Sequence, residues 1–212
     1  SSSFVVVRPP RANRSGTPLP SVALIQAESD VATVAIAGYV GLVVRGKVSH
    51  AHHPGNLEQH ADCILSNGAP VGFYGTGGGS SGSIGMGMSG VVWDYAGMLV
   101  HRPYYVDAAM AARYGVHSTI LLVRVSGTEA TAFDAAWTSM RSSPGGFNIV
   151  GNNCSTHASN AFIAAGILRG GIPGLDTPDH LYDQLYALPR ATPVYSGFVG
   201  FTPAGASFTV TV

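Results

Sequence analysis

The sequence predicts an α+β fold in which an antiparallel sheet packs against helices. Three observations carry that expectation. Strand-like runs bounded by Gly, Pro and Asn come first, three helical patterns follow, and strand-like runs return at the end. Asn67-Gly68 separates two of those runs, and Asn-Gly in that setting is among the strongest short hairpin signals. Hydrophobic residues make up 46% of the 212 residues and charged residues 10%, a balance that builds a core and does not suit a disordered chain.

The elements follow in order. Residues 1–20 hold Pro9, Pro10, Pro18 and Pro20 with three arginines and read as an extended arm or linker, with one domain expected over 21–212. Val31–Val48 is rich in Val, Ala and Gly and reads as one or two strands, split near Gly38. A polar loop, Ser49–Gln59, carries His50, His52 and His53. The hairpin comes next: His60–Leu65, the turn Ser66-Asn67-Gly68, and Pro70–Tyr74. On its first strand His60, Asp62 and Ile64 share one face, and Ala61, Cys63 and Leu65 the other.

Gly75–Gly90 is a Gly/Ser-rich loop, followed by strand signals at Val91–Asp94 and His117–Val125. Thr128–Ser142 reads as a helix, with Ala132, Ala135, Ala136 and Met140 on one face beside Phe133 and Trp137. Phe147–Val150 precedes Gly151-Asn152-Asn153-Cys154, and Ser155–Ala165 then reads as a helix closed by Gly166. Thr177 and Pro178 are the natural N-cap and first position of a further helix. Val194–Val212 alternates as one or two terminal strands.

Charge and length exclude several function classes. Lys plus Arg and Asp plus Glu are 11 each, so the chain has no electrostatic footprint for nucleic acid and no polybasic patch for an anionic membrane. The longest apolar stretch, Val31–Val44, is too short and too interrupted to span a bilayer. No charged segment followed by an apolar one marks a signal peptide. The two cysteines, Cys63 and Cys154, cannot form a disulfide framework. The histidines around His50–His60, with Asp62 and Cys63, fit no standard zinc spacing, so no metal is expected, and the loop reads as solvated, at the mouth of a cleft. The Gly-rich loop lacks the Gly-Lys-Ser or Gly-Lys-Thr of a phosphate loop and is expected to line or cover that cleft. No cofactor is expected.

Cys154 is the candidate nucleophile. A thiol at a helix start meets unpaired backbone N–H groups and the positive end of the helix dipole, and both favour thiolate. The same N–H groups can serve an oxyanion. A cysteine nucleophile also needs an imidazole, and His60, opening a core strand, is the candidate base. Position alone favours a buried small hydrophobe or a capping residue over a nucleophile.

The run Phe147-Asn148-Ile149-Val150-Gly151-Asn152-Asn153-Cys154 resembles the stretch before the nucleophile in lecithin:retinol acyltransferase-like proteins, a circularly permuted branch of the NlpC-type papain-like superfamily. His60 to Gly68 is similar to the strand that the catalytic His opens in that branch. His60-Ala61, Gly72-Phe73-Tyr74, Val91-Val92-Trp93-Asp94, Asn152-Asn153-Cys154 and Thr177-Pro178-Asp179-His180-Leu181-Tyr182 stand in an order that resembles permuted papain-like domains of bacterial type VI secretion effectors and related toxins. The resemblance covers about residues 55–190.

It implies a permuted papain-like fold, with Cys154 and His60 as the catalytic pair. The acyltransferase-like branch has a second His twelve residues after the first, where this chain has Gly72. The third member is therefore open: Tyr74 and Asp94 are candidates, Asp62 a weaker one, and Asn153 lines the site. His157, one turn after Cys154, stands between a site role and a structural one. The resemblance further implies a cysteine peptidase or amidase acting on peptidoglycan stem peptides as a secreted antibacterial effector, in the periplasm of a target bacterium and countered by an immunity protein. A phospholipase or acyltransferase acting on an acyl lipid is the alternative, for which Phe73, Ile84, Met86 and Met88 would suit a lipid chain. A catalytically silent binding domain of the same fold is the third reading.

Overall fold

The computed structural model describes residues 32–55, 59–76, 88–148, 151–170 and 177–212. It is mixed α+β with antiparallel sheets, as the sequence predicts. The arm at 1–20, most of the Gly-rich loop with Ile84 and Met86, and Ile149-Val150 lie outside the described residues.

The strands are β1 (Thr33–Val34), β2 (Tyr39–Arg45), β3 (His60–Ile64), β4 (Pro70–Gly75), β5 (Met88–Asp94), β6 (Ser118–Arg124), β7 (Gly146–Phe147), β8 (Val194–Gly197), β9 (Gly200–Ala204) and β10 (Ser207–Thr211). The helices are α1 (Tyr95–His101), α2 (Ala108–Tyr114), α3 (Gly127–Ser142), α4 (Cys154–Ala164) and α5 (Pro178–Tyr186). A seven-stranded sheet runs β7-β5-β4-β3-β2-β6-β8, and a three-stranded sheet runs β1-β10-β9.

The large sheet is buried on both faces because its central strands alternate two apolar sets. Val40, Leu42, Val44, Ala61 and Cys63 face α3, α4 and α5, meeting Phe133, Trp137, Phe162, Leu181 and Leu185. Val43, Ile64, Ile120 and Leu122 face the other way, toward Met98 of α1, Val199 of the β8–β9 connection, and Phe201 and Val210 of the small sheet. This period of two is the strand geometry expected of a central β-element.

The predicted hairpin forms at β3–β4. Gly68 takes φ +85°, and Asn67 Oδ1 accepts the Ala69 N–H at 2.9 Å. Gly38, at φ +83°, splits the predicted Val31–Val48 segment, and the two pieces join different sheets. On α3, Phe133 and Trp137 are buried and Ala132, Ala136 and Met140 half-buried, while Ala135 faces solvent. Ser126 and Glu129 close a capping box at its start. The Val194–Val212 segment holds three strands rather than one or two.

Two helices were not foreseen. α1 and α2 have seven residues each, too few for a 3.6-residue period to show against background. Their caps were readable: Asp94 and Asp107 accept first-turn N–H groups, and Gly115 ends α2 at φ +67°. A 3-10 turn at Pro103–Tyr105 joins them. Among the described residues no helix is long and apolar enough to cross a membrane.

Candidate active site

The chain before Cys154 is built to hold a helix start. Asn152 donates from Nδ2 to the Gly146 carbonyl at 2.6 Å, and its own carbonyl accepts the Asn148 N–H at 2.8 Å. Asn153 is the N-cap of α4, its Oδ1 accepting the Thr156 N–H at 3.1 Å. Asn153 therefore shapes the site through the backbone. Cys154 takes the first position of α4, so its own N–H points out of the helix start.

α4 packs on β3 so that the Cys154 thiol meets the strand's first residues. Sγ lies 3.5 Å from the Ala61 nitrogen, whose N–H donates to it, and the neighbouring His60 acts on the thiol through its charge. His60 Nε2 is 2.7 Å from Asp62 Oδ1. Asp62 is wholly buried, and its Oδ2 accepts Arg45 Nε at 2.9 Å. Tyr74 donates its hydroxyl to Asp62 Oδ1 at 2.9 Å, and its ring stacks on His60 at 4.5 Å between centroids. Tyr105 stacks on His60 at 5.3 Å, and its carbonyl accepts Arg45 at 2.6 Å.

His60, Asp62 and Arg45 form a continuous hydrogen-bonded chain beside the thiol. Burial raises the thiol's pKa, but the charge and hydrogen bond of His60 outweigh it and hold Cys154 below its ordinary 9.0. Burial works against the imidazolium, but Asp62 and then Cys154 outweigh it and push His60 up to about 10. Burial also raises Asp62, yet His60 and Arg45 hold it below its ordinary value. Cys63 shows the contrast. Burial pushes its thiol well up, as for an inert core cysteine. Both cysteines are free and buried, with Cys154 retaining 7% exposure.

The structure brings Cys154, His60 and Tyr74 together. Asp94 stands apart: it caps α1 through Gly97 N–H and pairs with Arg141 at 3.0 Å on the surface. Asp62, ranked below both for sharing a strand face with His60, is the residue that holds the imidazole. Residues i and i+2 on one strand face are neighbours, and a His bending along the strand reaches the carboxylate. Gly72 explains why the return strand carries no side chain. It lies directly opposite Asp62 in register, and a Cβ there would overlap Asp62 Oδ1.

His157 is buried away from the thiol. Its ring stacks on Phe73 at 3.5 Å, and Nε2 meets the Pro144 carbonyl at 3.0 Å, so it braces the turn before β7. The histidine loop is largely exposed in its described residues, as expected, and is also pinned to α5. His53 meets Asp179 at 2.6 Å, and His50 meets the Tyr182 hydroxyl at 2.8 Å. Ligand atoms of His53, Asp179 and Asp183 lie within 4.8 Å of one another, but Asp179 is also held by the buried Lys47 at 2.7 Å, a cation in the place a metal would compete for.

Beside His60 opens a pocket of about 230 Å³ lined by His60, Tyr74, Gly75, Met88, Arg102, Tyr105 and Phe147. In comparisons with known proteins, no family model, no curated protein and no solved structure matches the chain.

Proposed function

We propose that this protein is a cysteine hydrolase of permuted papain-like architecture that cleaves an amide bond in peptidoglycan stem peptides. One observation carries the chemistry: the thiol of a helix-start cysteine accepts the N–H of Ala61, the residue next to an imidazole that is itself hydrogen-bonded to a buried carboxylate. The substrate class rests on the motif resemblance, as do the role as a secreted antibacterial effector, the periplasmic site of action and an immunity partner.

In this mechanism the Cys154 thiolate attacks the carbonyl carbon. The Cys154 N–H, at the positive end of α4, stabilises the oxyanion. His60, held by Asp62, gives its proton to the leaving amine, which departs and leaves a thioester. His60 then takes a proton from water, whose oxygen attacks the thioester, and thiol and carboxylic product separate. Asp62 keeps the imidazole oriented and its cation stable.

A second reading, hydrolysis or transfer of a lipid acyl group, draws on the apolar wall that Met88 and Phe147 give the pocket. The experiment that separates these readings measures soluble fragments from purified peptidoglycan and, in parallel, fatty acid from phospholipid. Wild type is compared with Cys154→Ala and His60→Ala. Fragments from the wild type alone are the expected result. Cys154-dependent fatty-acid release without fragments would move the assignment to the lipid class. Silence in both, with no selective labelling of Cys154, would leave a binding domain.

A further inference from the structure

The pocket beside His60 is lined by the rings of Tyr74, Tyr105 and Phe147 and by Met88, and Arg102 adds a second cation to the His60 imidazolium. Arg102 sits between α1 and the 3-10 turn, and both hold its backbone. Its N–H donates to the Met98 carbonyl at 2.6 Å, and its own carbonyl accepts the Tyr105 N–H at 2.9 Å. The side chain is exposed, and its one recorded bond is a 3.4 Å contact to the neighbouring His101 carbonyl. Arg45, Arg141 and Arg190 differ, each lying against a carboxylate of the chain. Asp62, the acid nearest the pocket, is wholly buried beneath His60 and already engaged by it, Tyr74 and Arg45. The Arg102 backbone is thus held at the rim of a pocket that reaches the His60 imidazole, and its guanidinium has no acidic partner among the described residues.

We infer that Arg102 is a specificity determinant, binding a carboxylate on the substrate while the rings of Tyr74 and Tyr105 hold its apolar part. This rests on the assignment of Cys154 as nucleophile. A planar guanidinium matches a carboxylate with two parallel N–H donors, a geometry that a lysine ammonium cannot reproduce. The substrate is therefore an acidic acyl compound, such as a peptide with a free carboxylate near the scissile amide.

The test uses two small alkylating probes on the full chain, iodoacetate and iodoacetamide. In each, the Cys154 sulfur forms a bond to the methylene carbon and iodide leaves with its electron pair. The probes differ only in the negative charge. The labelling-rate ratio of iodoacetate to iodoacetamide at Cys154 is read by mass spectrometry for wild type, Arg102→Gln, Arg102→Lys and Arg113→Gln. His60 favours the anionic probe in all four, so the change in ratio is the readout. The expected ratio drops about fivefold in Arg102→Gln, the size of one close charge at a partly wet site. It drops by a smaller factor in Arg102→Lys, which keeps the charge and loses the paired donors, and is unchanged in Arg113→Gln. A ratio that Arg102→Gln leaves as in wild type overturns the assignment of Arg102 and leaves the nucleophile standing. Absence of labelling at Cys154 by either probe removes the nucleophile, and the carboxylate site with it. Faster turnover of phospholipid vesicles than of acidic peptides, lost in Arg102→Gln, would overturn the carboxylate in favour of a phosphate.

Discussion

Asp62 Oδ1 receives two donors, His60 Nε2–H and Tyr74 Oη–H, and Oδ2 receives Arg45. A buried carboxylate held this way remains charged, and its charge stabilises the imidazolium. The sign of the pH dependence follows. His60 is raised from 6.5 to about 10, so its cation persists until pH rises through that value. Cys154 is lowered from 9.0, so its thiolate persists below the ordinary thiol range. Asp62→Asn keeps the shape and removes the charge. Burial then acts on the imidazolium without that opposition, and the alkaline limb of the pH–rate profile is expected to move to lower pH, with kcat falling roughly 10²-fold. Measuring alkylation of Cys154 across pH in both proteins checks it; superimposable profiles would mean that Asp62 only fills space. At this scale the sequence was half legible. Cys154 and His60 could be named from helix-start chemistry and motif order. Asp62 ranks below Tyr74 and Asp94 in the sequence because it shares a strand face with His60, yet that i, i+2 spacing makes the two side chains neighbours.

At the scale of elements, the β3–β4 register places Gly72 opposite Asp62, and a side chain at position 72 would claim the carboxylate's space. Gly72→Ala is therefore expected to push Asp62 off His60. Unfolding in urea should show a loss of about 1–3 kcal/mol from overpacking, and kcat should fall in the protein that remains folded. Gly127→Ala is the comparison, since nothing lies within 4 Å of a Cβ there at the start of α3. It is expected to keep kcat and to gain up to about 1 kcal/mol by restricting the unfolded chain. Equal loss in both variants would detach the effect from Asp62. The hairpin that sets this register was legible because Asn67-Gly68 fixes a turn by local chemistry. α3, α4 and α5 were legible through their periods and caps. α1 and α2 were not: two turns of helix leave too short a pattern, and only their caps, Asp94 for α1 and Asp107 and Gly115 for α2, marked their ends. The wall of the pocket that carries Arg102 and Tyr105 lies in that unread stretch.

Across the whole molecule, the large sheet collects buried charge where β2 ends. Arg45 joins β2 to β3 and to the Tyr105 turn, and Lys47, two residues on, joins the same chain to α5. Composition gave a neutral total and a core, but not this arrangement, because each pair spans long sequence separations that no local pattern records. Lys47 has no exposure, and its ammonium meets Asp179 at 2.7 Å, the His52 carbonyl and the Tyr182 ring at 4.6 Å. Asp179 keeps 13% exposure and also holds His53. The asymmetry decides which partner can be lost. Asp179→Ala strands a buried ammonium and is expected to cost about 3–5 kcal/mol. Lys47→Met replaces the stem with an apolar chain and leaves Asp179 near water and paired with His53, so its cost is expected to be about 1 kcal/mol. In the double variant no charge is stranded, and its stability should return close to that of Lys47→Met alone. Urea unfolding of the three variants completes the cycle. A double variant as unstable as the sum of its singles would show that α5 is held by the shapes of these side chains, whereas recovery places the cost in the uncompensated ammonium beneath Tyr182.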